Sequence, residues 1–283
     1  MATVVGVVHP GQMGVTVAAS VKRGGNEVLW ASEGRSESTR ERASAAGLTD
    51  ARSLSELCRR SAVVISICPP EFAARQAEEV LATGWRGLYV DANAISPEHV
   101  RIIAERMEAR GADLVDGGII GSPPVERGRS WLYLSGPRAA EAAAYFSEGP
   151  LEAEVLGPAI GRASALKMCF SAYAKGSTAL LCALLAAAQR HGVLEDLKRS
   201  WTHNGPKLAD VEREVSRAAP KAWRFVPEMS EIAATFEASG MPRGFHEAAA
   251  ELYTALAGFK NCPEPDLDAV LERLARSPRS EPR

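Results

Sequence analysis

The sequence predicts an α/β fold: a doubly wound parallel sheet over residues 1–158, then an all-helical domain over 159–275 built on one long helix. Three features predict it. Short apolar runs alternate with helix-like segments from Thr3 to Val155. Those runs are mostly continuous in Val, Ile and Leu, as parallel strands covered on both faces require. Beyond them, Arg162 to His191 contains no proline and a single glycine, Gly176, before Gly192 provides a helix stop.

In chain order, the strand candidates are Thr3–Val8, Glu27–Ala31, Ala62–Ile67, Leu88–Asp91, Ala112–Asp116 and Trp131–Ser135. Helical stretches such as Gly11–Arg23, Glu71–Ala82 and Pro97–Arg110 lie between them. The long helix, roughly 30 residues at 1.5 Å each, reaches on the order of 45 Å. Rich in Ala and Leu nearly all round, it is expected to bury much of its surface. Further helices follow to Leu274, with turns near Asn204-Gly205-Pro206, Gly240 and Pro263–Pro265. The polar, proline-containing tail over 276–283 is expected to be disordered.

A chain of 283 residues suggests two domains of ordinary size, able to bury a core without disulfide or metal staples. Its net charge of −2 marks neither a nucleic-acid nor an anionic-membrane partner, so a small molecule is the expected one. The cysteines, Cys58, Cys68, Cys169, Cys182 and Cys262, are odd in number and form no C-x-x-C pair, which argues against a zinc site or a secreted disulfide framework. No signal-type segment opens the chain, and the longest apolar run, Ala179 to Ala188, is about half of what a membrane span needs. A reducing, cytoplasmic setting is the simplest expectation. No two histidines have metal-ligand spacing, so no bound metal is expected.

The chemistry begins at the first strand-to-helix turn, Gly6-Val7-Val8-His9-Pro10-Gly11-Gln12-Met13-Gly14. A helix N-terminus offers unpaired N–H groups and a positive dipole end, which suit a pyrophosphate. Gly11 lets the backbone approach phosphate, and Gly14 lets the helix pack on the strand. The G-x-G-x-x-G pattern reads here His9-x-Gly11-x-x-Gly14, without its first glycine. His9, Pro10, Gly11, Gln12 and Met13 are therefore candidate cofactor residues. After the second strand comes Ser32-Glu33-Gly34-Arg35-Ser36. An acid there would hold the ribose 2′-OH of NAD, and an arginine the 2′-phosphate of NADP. Ser32, Arg35 and Ser36 form a candidate phosphate clamp, which favours NADP; Glu33 as a ribose ligand keeps NAD open.

These motifs resemble those of the β-hydroxyacid dehydrogenase superfamily, which includes 6-phosphogluconate dehydrogenase, 3-hydroxyisobutyrate dehydrogenase and imine reductases. Gly11-Gln12-Met13-Gly14 is similar to its G-x-M-G turn, and Cys68-Pro69-Pro70 sits where a strand end passes the nicotinamide ribose. Asp91-Ala92-Asn93-Ala94-Ile95-Ser96-Pro97 is similar to D-x-S-T-x-x-P, and Asp116-Gly117-Gly118-Ile119-Ile120-Gly121-Ser122 to D-A-P-V-S-G-G, both beside substrate. Lys167-Met168-Cys169-Phe170-Ser171 takes the place of K-x-x-N-N, whose lysine is catalytic. The nearest likeness is to a subgroup whose C-terminal domain has no assigned function, carried by Lys175–Leu180, Ala222-Trp223-Arg224-Phe225 and Glu228–Ala233. Ser171 replaces the second asparagine, Ile120 the S-G-G serine, and Ser230-Glu231 a later K-D pair. The resemblance thus implies the fold and an NAD(P) cofactor, and leaves the substrate open.

Lys167, Ser171, Lys175 and Thr178 share one helical face within about 80° at 100° per residue. Two lysines on an apolar helix need a cleft or counter-charges. A lysine can deliver the proton that accompanies hydride transfer if burial or a like charge, here Lys175, lowers its pKa. The expected roles are Lys167 as general acid/base, Ser171 as its partner or the substrate's, and Asn93 and Ser122 as substrate-orienting groups. His99 is expected to be exposed and His191 to cap the long helix. His203, placed in a loop, and His246 have structural readings as well as functional ones. The favoured activity is oxidoreduction of a small hydroxy acid, oxo acid or related carbonyl. Imine reduction is the alternative, as is an NADP-binding sensor without turnover. The long helix and C-terminal domain also predict a homodimer.

Overall fold

The computed structural model describes residues 2–276; the expected tail, from 277 on, lies outside the described residues. Packing divides the chain into two compact units, Met1–Met168 and Cys169–Arg283. The first seven residues of the long helix, Lys167 among them, thus belong with the sheet, whereas the sequence reading set the domain boundary at 158/159.

In the first unit the elements run β1 (Val4–Val7), α1 (Gln12–Arg23), β2 (Glu27–Trp30), α2 (Glu37–Ala45), β3 (Thr49–Asp50), α3 (Leu54–Arg60) and β4 (Val63–Ser66). They continue with α4 (Ala73–Ala82), β5 (Leu88–Asp91), α5 (Pro97–Glu108), β6 (Asp113–Gly121), β7 (Ser130–Ser135), α6 (Ala139–Ala144), β8 (Glu152–Gly157) and the start of α7 (Arg162–Arg190). The eight strands form one sheet in the order β3-β2-β1-β4-β5-β6-β7-β8. All neighbours are parallel except β6 and β7.

The period-2 alternation of strand side chains explains the unbroken apolar runs. Val5 and Val7, Val28 and Trp30, Val63 and Ile65, Leu88 and Val90 join one core with α1 and α6. Leu29, Val64 and Tyr89, on the opposite face, join a second core with α3, α4 and α5. Gly6 stands on this second face because α3 crowds it: a Cβ there would lie 2.4 Å from Leu57 Cδ2 and 2.9 Å from Ser61 Oγ.

β6 is longer than expected, running on to Gly121 and turning back into β7 as an antiparallel pair. β3, β8, α2, α3 and α6 are elements beyond those read from the sequence. β8 is an edge strand with Glu154 and Val155 exposed, so it lacks the all-apolar run of a covered strand.

In the second unit the remainder of α7 is joined by α8 (Leu194–Asn204), α9 (Leu208–Ala218), α10 (Ala222–Ala238), α11 (Gly244–Leu256) and α12 (Leu267–Ala275). His203 lies in the last turn of α8 rather than in a loop, exposed. By length and composition alone α7 could cross a membrane, contrary to the count of ten apolar residues, yet 44% of its most apolar 18-residue window is buried within the protein. Its exposed large side chains, Leu166, Phe170, Tyr173 and Leu180, follow one stripe about 80° wide.

Candidate active site

β1 sits where the strand order reverses, between β2 and β4, and α1 starts at its carboxyl end. That is the switch point at which open α/β sheets take ligands. The turn there fits a diphosphate. Gly11 caps α1 with no side-chain hydrogen bond, and no acidic residue stands in the helix's first turn. A Cβ built at Gly11 would meet nothing within 4 Å, so the approach is open. At Gly14 the Cβ would lie 1.9 Å from the carbonyl oxygen of His9, so only glycine lets the helix start this close to the strand. The Gly11 N–H donates to the same carbonyl at 2.8 Å, which closes the turn. Gln12 and Met13 stand in the first turn of α1, where backbone N–H groups have no acceptor within the helix.

Around the end of β2, Ser32 is buried: its N–H donates to Asp50 Oδ1 at 3.2 Å, and its carbonyl accepts from Arg40 Nη2 at 2.7 Å. Arg40 is a cation that the sequence reading missed; it stands one helical turn after the S-E-G-R-S segment. Glu33 is exposed and Arg35 half-buried. Ser36 caps α2 and shares contacts with Ser38 Oγ and Thr39 Oγ1 at 3.2 and 3.1 Å. The His9 ring is half-buried, and burial first, then the Arg35 charge, lower its pKa to about 4. His9 is therefore neutral at physiological pH.

The ends of β4 and β5 are tied by one side chain. Asn93 Oδ1 accepts the Cys68 N–H at 2.6 Å, while Nδ2 donates to Ser66 Oγ at 3.2 Å and Asp91 Oδ2 at 3.0 Å. Asn93 was expected to orient substrate. It is 2% exposed and every polar atom of its amide is engaged, so its geometry is that of a clamp on the Cys68-Pro69-Pro70 turn. Burial, and secondarily the Asp91 charge, push the Cys68 thiol up to about 12, so it stays protonated.

Asp91 itself is fully buried, and burial outweighs its hydrogen bonds from Asn93 to bring its carboxyl up to about 7. The folded state therefore binds this proton over a range in which the unfolded chain, near the ordinary 3.8, has released it. Stability from this group is full below about pH 4 and is lost as pH rises through about 7, a change on the order of 4 kcal/mol. Urea unfolding at pH 5 and pH 8 should show the wild type losing about 2.7 kcal/mol of stability relative to Asp91→Asn, the share of that change that falls above pH 5. A difference between the two proteins that does not change with pH would refute it.

Lys167 lies on the first turns of α7, and the anchoring of that helix start is the second residue set missed at the sequence level. Asp116 on β6 accepts from the Gly161 N–H (2.9 Å), the Ser164 N–H (3.1 Å), Ser164 Oγ (2.6 Å) and Ser135 Oγ (2.8 Å). Ser135 Oγ also accepts the Ala163 N–H at 3.0 Å. A buried carboxylate thus meets the positive end of α7 and fixes it to the sheet. Gly118 completes the seat: a Cβ there would stand 2.8 Å from the Ala163 carbonyl oxygen and 2.9 Å from Lys167 Cβ. Half-buried Lys167 is held against β6, two residues along from the anchoring acid.

The other members of the polar stripe are consumed within the helical unit. Ser171 Oγ donates to Glu228 Oε1 at 2.9 Å, and Lys175 Nζ pairs with the same oxygen. Lys175 also lies 5.0 Å from the Phe225 ring centre, and its carbonyl accepts from Tyr253 OH at 2.7 Å. Thr178 Oγ1 pairs with Glu214. The stripe meets counter-charges: Ser171 and Lys175 share the Glu228 carboxylate, and Thr178 meets that of Glu214. Ser122, expected to orient substrate, is exposed beyond β6, its carbonyl bonded by Ser130 Oγ. His246 is buried edge-on to Phe236 at 4.3 Å and Phe245 at 5.1 Å, a packing position.

A family model described as the NAD binding domain of 6-phosphogluconate dehydrogenase matches residues 4–144, and one described as a domain of unknown function (DUF1932) matches residues 188–256. The conserved protein MTH1747, of unknown function and described as structurally similar to 3-hydroxyacid dehydrogenases, is 31% identical. That match covers 90% of this chain and 97% of MTH1747 with a TM-score of 0.65. The chain belongs to the β-hydroxyacid dehydrogenase family, in its DUF1932 subgroup.

Its sheet domain is accordingly an NAD(P)-binding domain. Two further solved structures share this fold. A 3-hydroxyisobutyrate dehydrogenase from Mycobacterium tuberculosis is 19% identical over 98% of this chain and all of its own, with a TM-score of 0.70. An imine reductase from Myxococcus stipitatus is 18% identical over the same shares, with a TM-score of 0.58. At these identities the likeness is one of fold.

Proposed function

We propose that the protein is an NADP-preferring oxidoreductase that moves a hydride between the nicotinamide and a small hydroxy or oxo acid, or a related carbonyl compound. The bound cofactor supplies or accepts the hydride. The open turn at Gly11, Gln12 and Met13 holds its diphosphate, Ser32, Arg35 and Ser36 receive its 2′-phosphate, and the Asn93-clamped turn at Cys68-Pro69-Pro70 borders its nicotinamide ribose. Lys167 Nζ gives a proton to the substrate oxygen as hydride reaches the carbonyl carbon, and takes it back in the reverse direction. The observation that carries this reading is the seating of Lys167 against Gly118, in the same compact unit as the phosphate turn.

One observation favours a second acceptor. Ser171, in place of the family's second asparagine, is bonded to Glu228, which leaves fewer groups to orient a carboxylate or hydroxyl. A protonated imine needs no proton from Lys167. Titration with NADPH and NADH, followed by a panel of 2- and 3-oxo acids and cyclic imines, tests both readings. NADPH-dependent turnover of an oxo acid is expected. Turnover of imines alone would transfer the assignment to imine reduction, and cofactor binding with no turnover would favour a sensor. The exposed stripe of Leu166, Phe170, Tyr173 and Leu180 supports a homodimer as the working form.

A further inference from the structure

His9 occupies the position at which a dinucleotide turn normally opens with glycine, and its main chain is fixed there by the contacts of its carbonyl with Gly11 and Gly14. A side chain at this point must fill space that glycine leaves free. The His9 ring does so in a half-buried setting, with Nδ1 enclosed and without a hydrogen-bond partner among the described residues. Arg35 shows the same pattern: half-buried, with Nε enclosed and unpartnered. Its charge acts on the His9 ring, and the nearby charged or titratable groups that act on Arg35 itself are Glu79 and Cys68. Enclosed nitrogens without partners are uncommon in folded proteins, and these two follow the carboxyl ends of the adjacent strands β1 and β2, at the switch point where such sheets take ligands.

An arginine recognises a phosphate through a planar fork, and the benefit depends on how well the plane is held before the ligand arrives. A flat, uncharged ring can back that plane, whereas an imidazolium would repel it. A glycine would leave the guanidinium free to rotate among many orientations.

We infer that His9 is a specificity-determining residue for the cofactor, its neutral imidazole backing the Arg35 guanidinium in the orientation that receives the 2′-phosphate of NADP. His9 acts through Arg35 and is a positioning residue; the inference rests on the reading that Arg35 binds that phosphate.

The test is equilibrium binding of NADPH and of NADH, followed by cofactor fluorescence, to wild type, Arg35→Ser, His9→Gly, His9→Gln and the double variant His9→Gly/Arg35→Ser. Arg35→Ser should weaken NADPH and leave NADH little changed. His9→Gly should lower the NADPH-to-NADH affinity ratio by about tenfold, roughly 1.4 kcal/mol. His9→Gln, which keeps a flat neutral group, should restore most of that ratio. In the double variant the His9 change should have no further effect on the ratio, because its route runs through Arg35. A wild type without NADPH preference, or an Arg35→Ser variant that keeps it, would overturn the NADP reading and this inference with it. If Arg35→Ser behaves as expected while His9→Gly weakens both cofactors equally, the role given to His9 is wrong and that of Arg35 stands. Should His9→Gly fail to fold, His9→Gln against His9→Ala gives the same comparison: equal ratios in the two would overturn the inference.

Discussion

If Lys167 is the proposed general acid, replacing it with alanine is expected to lower turnover of an oxo acid by about 10²–10⁴-fold, the range over which a positioned general acid contributes. NADPH affinity should stay within about twofold, since no part of the phosphate turn touches this residue's role. The expectation follows from how the lysine is held. Its helix turn is bonded to Asp116 through Ser164, and its Cβ lies against Gly118, so the backbone at position 167 has little freedom. Removing the side chain should therefore remove the proposed proton donor while leaving the main-chain anchoring of the helix start in place. Lys167→Arg separates charge from proton transfer: guanidinium keeps the positive charge but does not give up its proton near neutral pH. Both variants should be comparably slow in steady-state kcat. An arginine variant with near wild-type turnover would reduce the lysine to an electrostatic role, and an alanine variant within tenfold of wild type would remove it from the chemistry.

The second large effect is structural. Asp116→Ala should destabilise the protein by about 3–5 kcal/mol, because one buried carboxylate satisfies two backbone N–H groups and two hydroxyls at the start of α7. Truncation leaves those donors buried without an acceptor and removes the negative charge from the positive end of a 29-residue helix. Asp116→Asn, which keeps one acceptor oxygen, should cost less. Urea midpoints at unchanged slope would measure both. A loss below about 1 kcal/mol for the alanine variant would mean that the helix start is held by apolar packing instead.

The sequence announced the sheet domain clearly where its signal is a run of one residue class. Val63–Ser66 and Leu88–Asp91 are buried on both faces, so burial and composition coincide. Glu152–Gly157 did not stand out, because an edge strand with exposed side chains lacks that run. At the turn, Gly11 and Gly14 were legible because their physical reasons are local: open approach at one, close packing at the other. The functions of Asn93 and Ser171 were not. Each depends on a partner far along the chain, Cys68 in one case and Glu228 in the other, and no local spacing encodes such a pairing. The stripe Lys167, Ser171, Lys175, Thr178 illustrates the limit. Helical periodicity correctly gathers these residues on one face, but only the fold reveals that acids from α9 and α10 meet Ser171, Lys175 and Thr178. Asp116 could have been suspected from sequence, as an acid directly before a glycine pair, yet its anchoring of a helix 45 residues further on could not.

The contact between Gly118 and Lys167 carries a consequence for reading other genomes. A methyl group at 118 would have to displace main chain of the helix as well as the lysine stem, so these two positions cannot drift independently. A relative with proline there, as in D-A-P-V-S-G-G, must seat the start of this helix farther from the strand than this chain does.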